Sequence, residues 1–137
     1  MIVVDTSAVI AILREEPEAE IFAEVIGQAE ACYLSAVGFL EASMVMIGRG
    51  RAELGNDLED LLTEMGIELV PFDEQQARAS REAFVRFGRG RHAAQLNFGD
   101  CISYALARTR ALPLLYKGND FARTDIISAL PAPGPTC

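Results

Sequence analysis

The sequence has few of the residues that mark several protein classes. Its three cysteines, Cys32, Cys101 and Cys137, are odd in number and scattered, which argues against a disulfide framework and a thiolate zinc site. The single histidine, His92, excludes mechanisms that need two imidazoles and gives little support to a Ser/His/Asp triad. No apolar run approaches the roughly 18 residues of a membrane span, and no charged leader precedes the first strand. We therefore expect a cytoplasmic protein without a membrane partner.

Basic residues are nearly missing from the first half of the chain. Residues 1–76 carry 3 arginines against 16 acidic residues, whereas residues 77–137 carry 9 lysines and arginines against 4 acidic residues. The net charge of −8 argues against a nucleic-acid partner, because a polyanion repels an anion. The basic second half gives the opposite hint, a surface for a polyanion. Because charge runs are often only solvated faces, charge alone leaves both interpretations open.

Strand-like and helix-like segments alternate along the 137 residues. Apolar strands are predicted at IVV, CYLSAV, IELVPF and LPLLY, with amphipathic helices between them, which is typical of a parallel sheet covered by helices. The prediction is one three-layer α/β/α domain over residues 1–130, with a short, mostly parallel central sheet. Residues 131–137 are expected to form a flexible, proline-rich tail. In the helix after IELVPF, the predicted inward stripe is Ala77, Ser80, Phe84 and Phe87.

Four acidic residues stand at positions that allow a functional interpretation beside a structural one. Asp5 follows the first strand, at the end where open α/β sheets bind ligands, but it could equally cap the next helix. Glu41 lies on an apolar helix without a neighbouring cation, unless that side of the helix is exposed. Asp100 lies in the first turn of a helix that Gly99 opens, where the helix dipole alone favours an acid. Asp120 stands just beyond the last strand.

A cluster of carboxylates predicts a hard divalent cation such as Mg²⁺ or Mn²⁺, because the ion relieves their mutual repulsion. The same ions bind phosphates and activate water in phosphodiester cleavage, so a site made of acids can act on a polyanion. A loop with two glycines, RFGRGRH, could grip phosphate oxygens or could be merely solvated. Its basic residues are Arg86, Arg89, Arg91 and His92.

Four segments in order, VVDTSAVIAIL, FLEASMV, NFGDCISYALA and LLYKGNDFARTDI, resemble the PIN-domain ribonucleases, specifically the VapC-type toxins of bacterial toxin–antitoxin pairs. The resemblance covers nearly the whole chain. It implies a Rossmann-like PIN domain and a Mg²⁺-dependent endoribonuclease, with Mn²⁺ as a substitute ion. Metal-activated water would cleave the RNA phosphodiester without a side-chain nucleophile. The resemblance also implies a homodimer and a cognate antitoxin protein that neutralises the toxin.

The resemblance assigns catalytic roles, motif by motif, to Asp5, Glu41, Asp100 and Asp120. Asp5 and Asp100 would bind the metal directly, and Glu41 would bind it directly or through water. Hydrogen bonds that hold the carboxylates are expected from Thr6, Ser7, Asn97 and Asn119. RNA contacts are expected from Arg86, Arg89, Arg91 and His92.

The fourth acidic position departs from the family pattern. Many relatives carry an acid two positions before Asp120, where this chain has Gly118. Either Asp120 fills the role or Asn119 orients a water molecule. This departure keeps open a PIN-like module that binds a protein partner without catalysis. The hypothesis of a nuclease that acts on DNA also stays open, since the acids do not distinguish ribose from deoxyribose.

Two other classes with acids at strand ends fit the sequence poorly. A receiver domain would have an acidic pair after the first strand and a phosphorylatable Asp after the third, where this chain has the single Asp5 and LVPF. An aspartate-nucleophile phosphatase would have a second acid two residues after Asp5, where Ser7 stands. The metal-dependent nuclease is therefore the preferred hypothesis.

Overall fold

A computed structural model describes residues 1–50 and 52–131. Four parallel strands form one sheet in the order β3-β2-β1-β4, so their carboxyl ends lie at one edge. In register, Ile2 pairs with Cys32, and Val3 pairs with Leu114 on its other side. The strands are β1 Ile2–Val4, β2 Cys32–Ser35, β3 Ile67–Val70 and β4 Leu114–Leu115.

Helices cover both faces of this sheet. One apolar core joins the sheet to the first four helices around Phe22, Leu34 and Leu58, and a second joins it to the last two around Leu96 and Leu106. The predicted α/β/α layering is thereby confirmed. The helices are α1 Thr6–Leu13, α2 Ala19–Gln28, α3 Ala36–Gly48, α4 Glu53–Met65, α5 Glu74–Phe87 and α6 Phe98–Arg110, and a short 3-10 helix spans Asp120–Arg123.

Helix caps set two boundaries that differ from the sequence prediction. β2 ends at Ser35, two residues before the end of the predicted strand CYLSAV. The Ser35 side chain accepts a hydrogen bond from the Val37 N–H (3.2 Å), which confirms the sequence-based expectation that Ser35 caps α3. α6 begins at Phe98, one residue before the predicted Gly99, because Asn97 caps it. Both differences follow from side-chain oxygens that satisfy first-turn N–H groups.

The predicted inward stripe of α5 is wrong at two of its four positions. Ser80 and Phe87 are buried, but Ala77 and Phe84 face solvent. The buried positions of α5 are Gln76, Ser80, Ala83 and Phe87. Gln76 enters the interface with α6, where its Nε2 donates to Thr109 Oγ1 (2.8 Å), so the buried face includes Gln76 and Ala83 in place of Ala77 and Phe84.

The remaining expectations on composition concern the cysteines, the tail and the membrane. Cys32 and Cys101 are buried and free of disulfides, as predicted for core thiols. Cys137 lies outside the described residues, and so does the expected tail apart from Pro131. Within residues 1–50 and 52–131, no helix is both long and apolar enough to cross a membrane.

Candidate functional site

β1 brings Asp5 to the carboxyl edge of the sheet. The Asp5 N–H donates to the Leu115 carbonyl of β4 (2.9 Å), while its side chain begins α1 by accepting from the Ser7 N–H (3.0 Å). Ser7 Oγ donates to the same carboxylate oxygen (2.6 Å), and Ser103 Oγ of α6 donates to the other (2.5 Å). Asp5 therefore does cap α1, and its buried carboxylate also stands at the edge where such sheets bind ligands.

α3 and α6 meet across this edge at Glu41 and Gly99. A Cβ at position 99 would stand 2.6 Å from Glu41 Oε2 and 2.9 Å from Oε1, so only glycine leaves room for the carboxylate. Thr6 Oγ1 donates to the Gly38 carbonyl (3.1 Å), which joins α1 to α3 one turn before Glu41. Burial raises the pKa of Glu41, the Thr6 hydroxyl opposes this, and the negative charge of Asp5 raises it further. Glu41 is partly buried, so the exposed alternative is wrong.

α6 holds Asp100 in its first turn. Asn97 Oδ1 accepts from the Asp100 N–H (2.9 Å), and Asp100 Oδ2 accepts from the Asn97 N–H (3.1 Å), a reciprocal capping box. The pKa of Asp100 is raised to about 6, mainly by burial, and the charges of Asp5, Asp120 and Glu41 also raise it while the Asn97 hydrogen bond opposes. The other three acids predicted from the sequence thus act electrostatically on Asp100.

The loop after β4 brings in the fourth acid. The Lys117 N–H donates to Ser7 Oγ (3.0 Å), so the hydroxyl that holds Asp5 also holds this loop. Asp120 begins the 3-10 helix and is exposed, and Asn119 makes no side-chain capping bond. Gly118 has a φ of 96°, a conformation that side-chain-bearing residues rarely adopt. A loop of this shape accounts for the glycine at position 118.

None of the four acids forms an ion pair with a lysine or arginine in the part of the chain that the structure describes. Lys117 lies on the adjoining loop, but its ammonium pairs with Glu16 (2.8 Å) and Glu18 (3.4 Å). Burying carboxylates together without a cation is unfavourable, so the cluster fits a bound cation.

The arrangement restricts how an ion could be held. Across the described ranges, no three His, Cys, Asp or Glu side chains are placed so that they could hold a metal ion together. Mg²⁺ is usually held by one or two carboxylates and keeps several water ligands. The donor set therefore fits an ion that binds one or two of these acids directly and the others through water.

Comparison with known proteins decides the family. A family model for the PIN domain matches residues 2–127. Ribonuclease VapC28 of Mycobacterium tuberculosis is 46% identical over 129 residues, which cover 93% of this chain and 97% of that protein. The chain is a PIN domain of the VapC ribonuclease family.

Solved structures carry the same PIN fold. The crystal structure of VapC20 of Mycobacterium tuberculosis, a toxin that cleaves the sarcin–ricin loop, superposes with a TM-score of 0.78 at 14% identity and covers 96% of this chain and 100% of that one. A toxin–antitoxin complex from Klebsiella pneumoniae gives a TM-score of 0.70 at 19% identity, with 91% of this chain and 93% of that one covered. At these identities the likeness confirms the predicted fold alone.

The PIN domain separates the basic residues predicted to contact RNA. Arg86 extends towards Asp125 Oδ2 and the Tyr104 hydroxyl, at 3.5 Å from each. Arg91 Nε donates to a carbonyl in the last turn of α5 (3.1 Å). His92 accepts a hydrogen bond from its own loop through Nδ1 (3.0 Å). These three side chains therefore have contacts within the domain.

Arg89 lies beside the acids instead. It lines a polar depression of about 320 Å³ together with Asn97, Asn119 and Asp120. Arg123 of the 3-10 helix lines the same depression. The two guanidinium groups place positive charge next to the acid cluster, where a phosphate chain could be held.

Sequence reasoning missed Ser103 and Gly99. Ser103 lies three residues after Asp100 on an otherwise apolar stretch of α6, and this helical spacing could have identified it. No sequence signal could have shown that Gly99 makes room for Glu41, because the two residues meet only in the fold.

The predicted supporting residues divide into two groups. Ser7 and Asn97 hydrogen-bond directly to site carboxylates. Thr6 donates to the Gly38 carbonyl, and Asn119 makes no side-chain hydrogen bond within the described residues.

Proposed function

We propose that this chain is a divalent-metal-dependent endoribonuclease, with Mg²⁺ as its ion and Mn²⁺ as a substitute. The observation that carries the proposal is the group of four acids at the carboxyl edge, none of them paired with a lysine or arginine in the described residues. PIN-domain ribonucleases generally use divalent metal ions, and relatives at 42–46% identity are named ribonucleases. Of the proposed metal-site acids Asp5, Glu41 and Asp100, one or two would bind the ion directly and the rest through water.

The chain's own residues keep the donors in place. When bound, the ion would supply Lewis-acid activation of water and stabilise charge on the phosphate oxygens. Ser7 and Ser103 fix both oxygens of Asp5, and Asn97 fixes Asp100, so these carboxylates are oriented before the ion binds. Glu41, which lies against Gly99, would bind the ion directly or through water.

The polar depression beside the acids suits the phosphate backbone. Arg89 and Arg123 would bind phosphates through a salt-dependent contact that does not depend on sequence. Asp120 contributes charge to the cluster and is the proposed fourth acid, while Asn119 next to it could orient a water molecule. Since VapC20 cleaves the sarcin–ricin loop, an unpaired loop of a structured RNA is the proposed substrate class.

The proposal includes a role as the toxin of a toxin–antitoxin pair. A toxin–antitoxin complex is among the proteins that share this fold, and the curated relatives carry the VapC name. A cognate antitoxin would keep the ribonuclease inactive in the cytoplasm, where its RNA substrates are. Expression of the wild-type chain alone should then arrest growth, whereas expression of Asp100→Asn should not.

A homodimer is part of the same proposal. Leu40, Met44 and Ile47 form an exposed apolar stripe on α3, at 55%, 66% and 42% exposure and at helical spacing. Met44→Glu should shift the sedimentation coefficient from dimer to monomer. Ile127→Glu, at a similarly exposed apolar position outside the stripe, should leave the dimer intact, and a wild type that sediments as a monomer would contradict the dimer.

RNA cleavage is the decisive experiment. The purified protein is incubated with structured cellular RNAs and Mg²⁺ or Mn²⁺, with and without EDTA, beside Asp100→Asn and Asp60→Asn. Asp60 is an exposed acid on α4, so its variant controls for the loss of one negative charge. Cleavage by the wild type and Asp60→Asn, lost with EDTA or Asp100→Asn, is expected.

Three measurements separate the proposal from its rivals. Mn²⁺ should raise the melting temperature of the wild type, because an ion that binds only the folded state stabilises that state. At a free Mn²⁺ concentration 100 times the Kd, the free energy of unfolding should rise by about 2.7 kcal/mol. Binding of a protein partner without metal-dependent cleavage would favour a non-catalytic module. Faster cleavage of a matched DNA than of the RNA would make the protein a deoxyribonuclease.

A further inference from the structure

A second concave surface, called here the aromatic groove, lies between α5 and α6. It has a volume of about 470 Å³, within the range of roughly 300–1,000 Å³ that is usual for small-molecule sites. Three aromatic rings line it: Phe72 after β3, Phe84 on α5 and Phe98 at the start of α6. Phe98 is 75% exposed and Phe84 is 43% exposed. Large rings left to solvent at one place are a mark of a binding surface.

Two polar groups accompany these rings. Ser80 lines the groove and is only 9% exposed, and its hydroxyl is buried with no hydrogen-bond partner in the part of the chain that the structure describes. Such a group is uncommon in folded proteins and calls for an explanation. Arg81 lines the groove beside it, and its guanidinium makes no ion pair with the described acids.

The first turns of α6 join the aromatic groove to the acid cluster. Phe98, Cys101 and Ile102 face the groove at helical spacing, while Asp100 and Ser103 belong to the acid site on the other side of the same turns. The two sites are thus separated by about one helix diameter, roughly 10 Å. A nucleotide close to a phosphate held at the acids can reach the groove.

We propose that the aromatic groove binds one unpaired nucleobase of the RNA substrate, a role that rests on the proposed ribonuclease function. The base stacks on Phe98, beside Phe84. The Ser80 hydroxyl is buried in the free protein, so it reaches the edge of the base by a rotation of its side chain, and it can then donate or accept a hydrogen bond. Arg81 contacts a neighbouring phosphate. Stacking on exposed aromatic side chains is a common way in which proteins hold single-stranded RNA.

The composition of the groove favours a base over an apolar protein segment. An apolar side chain would fill the space between the rings but would leave the Ser80 hydroxyl without a partner. A nucleobase combines flat faces for Phe98 and Phe84 with polar edges for Ser80. The adjacent arginine and the continuity with the acid cluster suit a ligand that carries phosphates.

Kinetics on Phe98→Ala test the stacking. This variant should lower kcat/KM for RNA cleavage about 5- to 150-fold, the range that corresponds to 1–3 kcal/mol per stacked base. Phe98→Tyr should keep most of the activity, because it keeps the ring. Ile127→Ala, at a position that is 71% exposed and outside the groove, should behave like the wild type. The Mn²⁺-induced rise in melting temperature should be the same in all four proteins.

An abasic scan of the substrate adds a readout that a merely structural role would not move. RNAs that lack one base at a time are cleaved by the wild type and by Phe98→Ala. At one position near the cut, removal of the base should slow cleavage by the wild type about as much as the Phe98→Ala substitution slows cleavage of the intact RNA. Removal of the same base should not slow cleavage by Phe98→Ala further. Ser80→Ala should weaken the preference for the base at this same position.

The outcomes distinguish this inference from the proposed function. If the wild type cleaves RNA and Phe98→Ala cleaves it equally well, or no single base matters, the aromatic groove is not a base site and the nuclease stands. If Phe98→Ala changes only the oligomeric state or the affinity for an antitoxin, the groove serves a protein partner and the inference is overturned. If the wild type cleaves no RNA, the nuclease fails. In that case, binding of 2-aminopurine RNA tests the base site by itself. Fluorescence quenching by the wild type that is lost in Phe98→Ala supports the base site, and equal quenching by both proteins overturns it.

Discussion

Asp100 and Asp125, which both lie on the α6 side of the sheet, are held in opposite ways. Asp125 accepts a hydrogen bond from the Tyr104 hydroxyl and has Arg86 at 3.5 Å and Arg108 at 3.8 Å. The Tyr104 hydrogen bond first, and then the two guanidinium groups, hold the pKa of Asp125 below its ordinary value. The pKa of Asp100 is raised to about 6 by burial and by neighbouring acids.

This difference separates a structural acid from a functional one. The fold surrounds Asp125 with one hydroxyl donor and two cations, so its negative charge is compensated within the chain. It surrounds Asp100 with three further acids and leaves the charge to be compensated from outside. Groups whose ionisation is disfavoured by burial and like charges are concentrated at functional sites. The experiments below are designed to break or sharpen this distinction.

Asp5→Asn should have the largest effect. Asn caps a helix as well as Asp does, so α1 should keep its start while the site loses a charged ligand. We expect kcat/KM for RNA cleavage to fall by more than about 100-fold, since even substitution of residues that only support a ligand lowers metal affinity or activity 10- to 100-fold. Asp125→Asn, matched in chemistry, should leave kcat/KM nearly unchanged. Equal losses in the two variants would remove the distinction between the two acids.

Gly99→Ala should have the next largest effect. The new methyl group would stand 2.6 Å from Glu41 Oε2, so the Glu41 carboxylate must leave its present position. We expect activity to fall about 10-fold or more while the melting temperature changes little. Gly27→Ala on α2 is the matched control, because nothing lies within 4 Å of its Cβ position. If both variants keep full activity, the position of Glu41 against Gly99 does not matter for cleavage.

Much of the fold could be predicted from the sequence because local signals determine it. Ile2, Val3 and Val4 are apolar throughout and form a buried central strand, and helical periodicity located the helices. The failure on α5 is instructive. Ala77 and Phe84 fit an inward stripe by hydropathy, yet Gln76 turns inward because Thr109, 33 residues away, satisfies its amide. A partner so distant in sequence gives no local signal.

The candidate site was predictable in its acids and unpredictable in its surroundings. Asp5 and Asp100 stand at element ends, where sequence patterns carry information. The hydroxyl of Ser103 reaches Asp5 across 98 residues, and Gly99 meets Glu41 only through tertiary packing. The predicted basic loop shows the same limit, because of its four basic residues only Arg89 lines the depression beside the acids. Whether any of them contacts RNA stays a prediction.

Asp100→Asn and Asp125→Asn should change the free energy of unfolding in opposite directions. In metal-free protein, Asp100→Asn removes a half-buried charge that other acids repel, and its amide oxygen can still accept from the Asn97 N–H. The free energy of unfolding should rise by about 1–2 kcal/mol, less than the full value of the pKa shift because the site is partly solvated. Asp125→Asn removes the attraction between residue 125 and two arginines, so it should lower the free energy of unfolding by about 1 kcal/mol. Urea unfolding in EDTA measures both, and changes of the same sign would contradict the comparison.

The pH dependence of the Asp125 cluster should give the smallest effect. The pKa of Asp125 is lower in the folded state than its ordinary 3.8. Below about pH 4 the unfolded state therefore binds more protons, and the stability that the Asp125 charge contributes is lost as the pH falls. At the alkaline end, burial and the Asp125 hydrogen bond raise the pKa of Tyr104 from 10 to about 12. The unfolded state therefore releases its proton first, and stability falls as pH rises above about 10.

The difference in unfolding free energy between wild type and Asp125→Asn should consequently form a plateau from about pH 5 to 9 and shrink below it. Arg86 and Arg108 stay charged throughout this range, so the loss of stability at either end of the plateau does not come from their titration. Tyr104→Phe should remove the alkaline limb and also weaken the acid limb, because the Tyr104 hydroxyl is the first cause of the lowered pKa of Asp125. A stability difference that instead grows as pH falls below 4 would mean that Asp125 is destabilised by its surroundings, as Asp100 is, and that the two aspartates do not differ in kind.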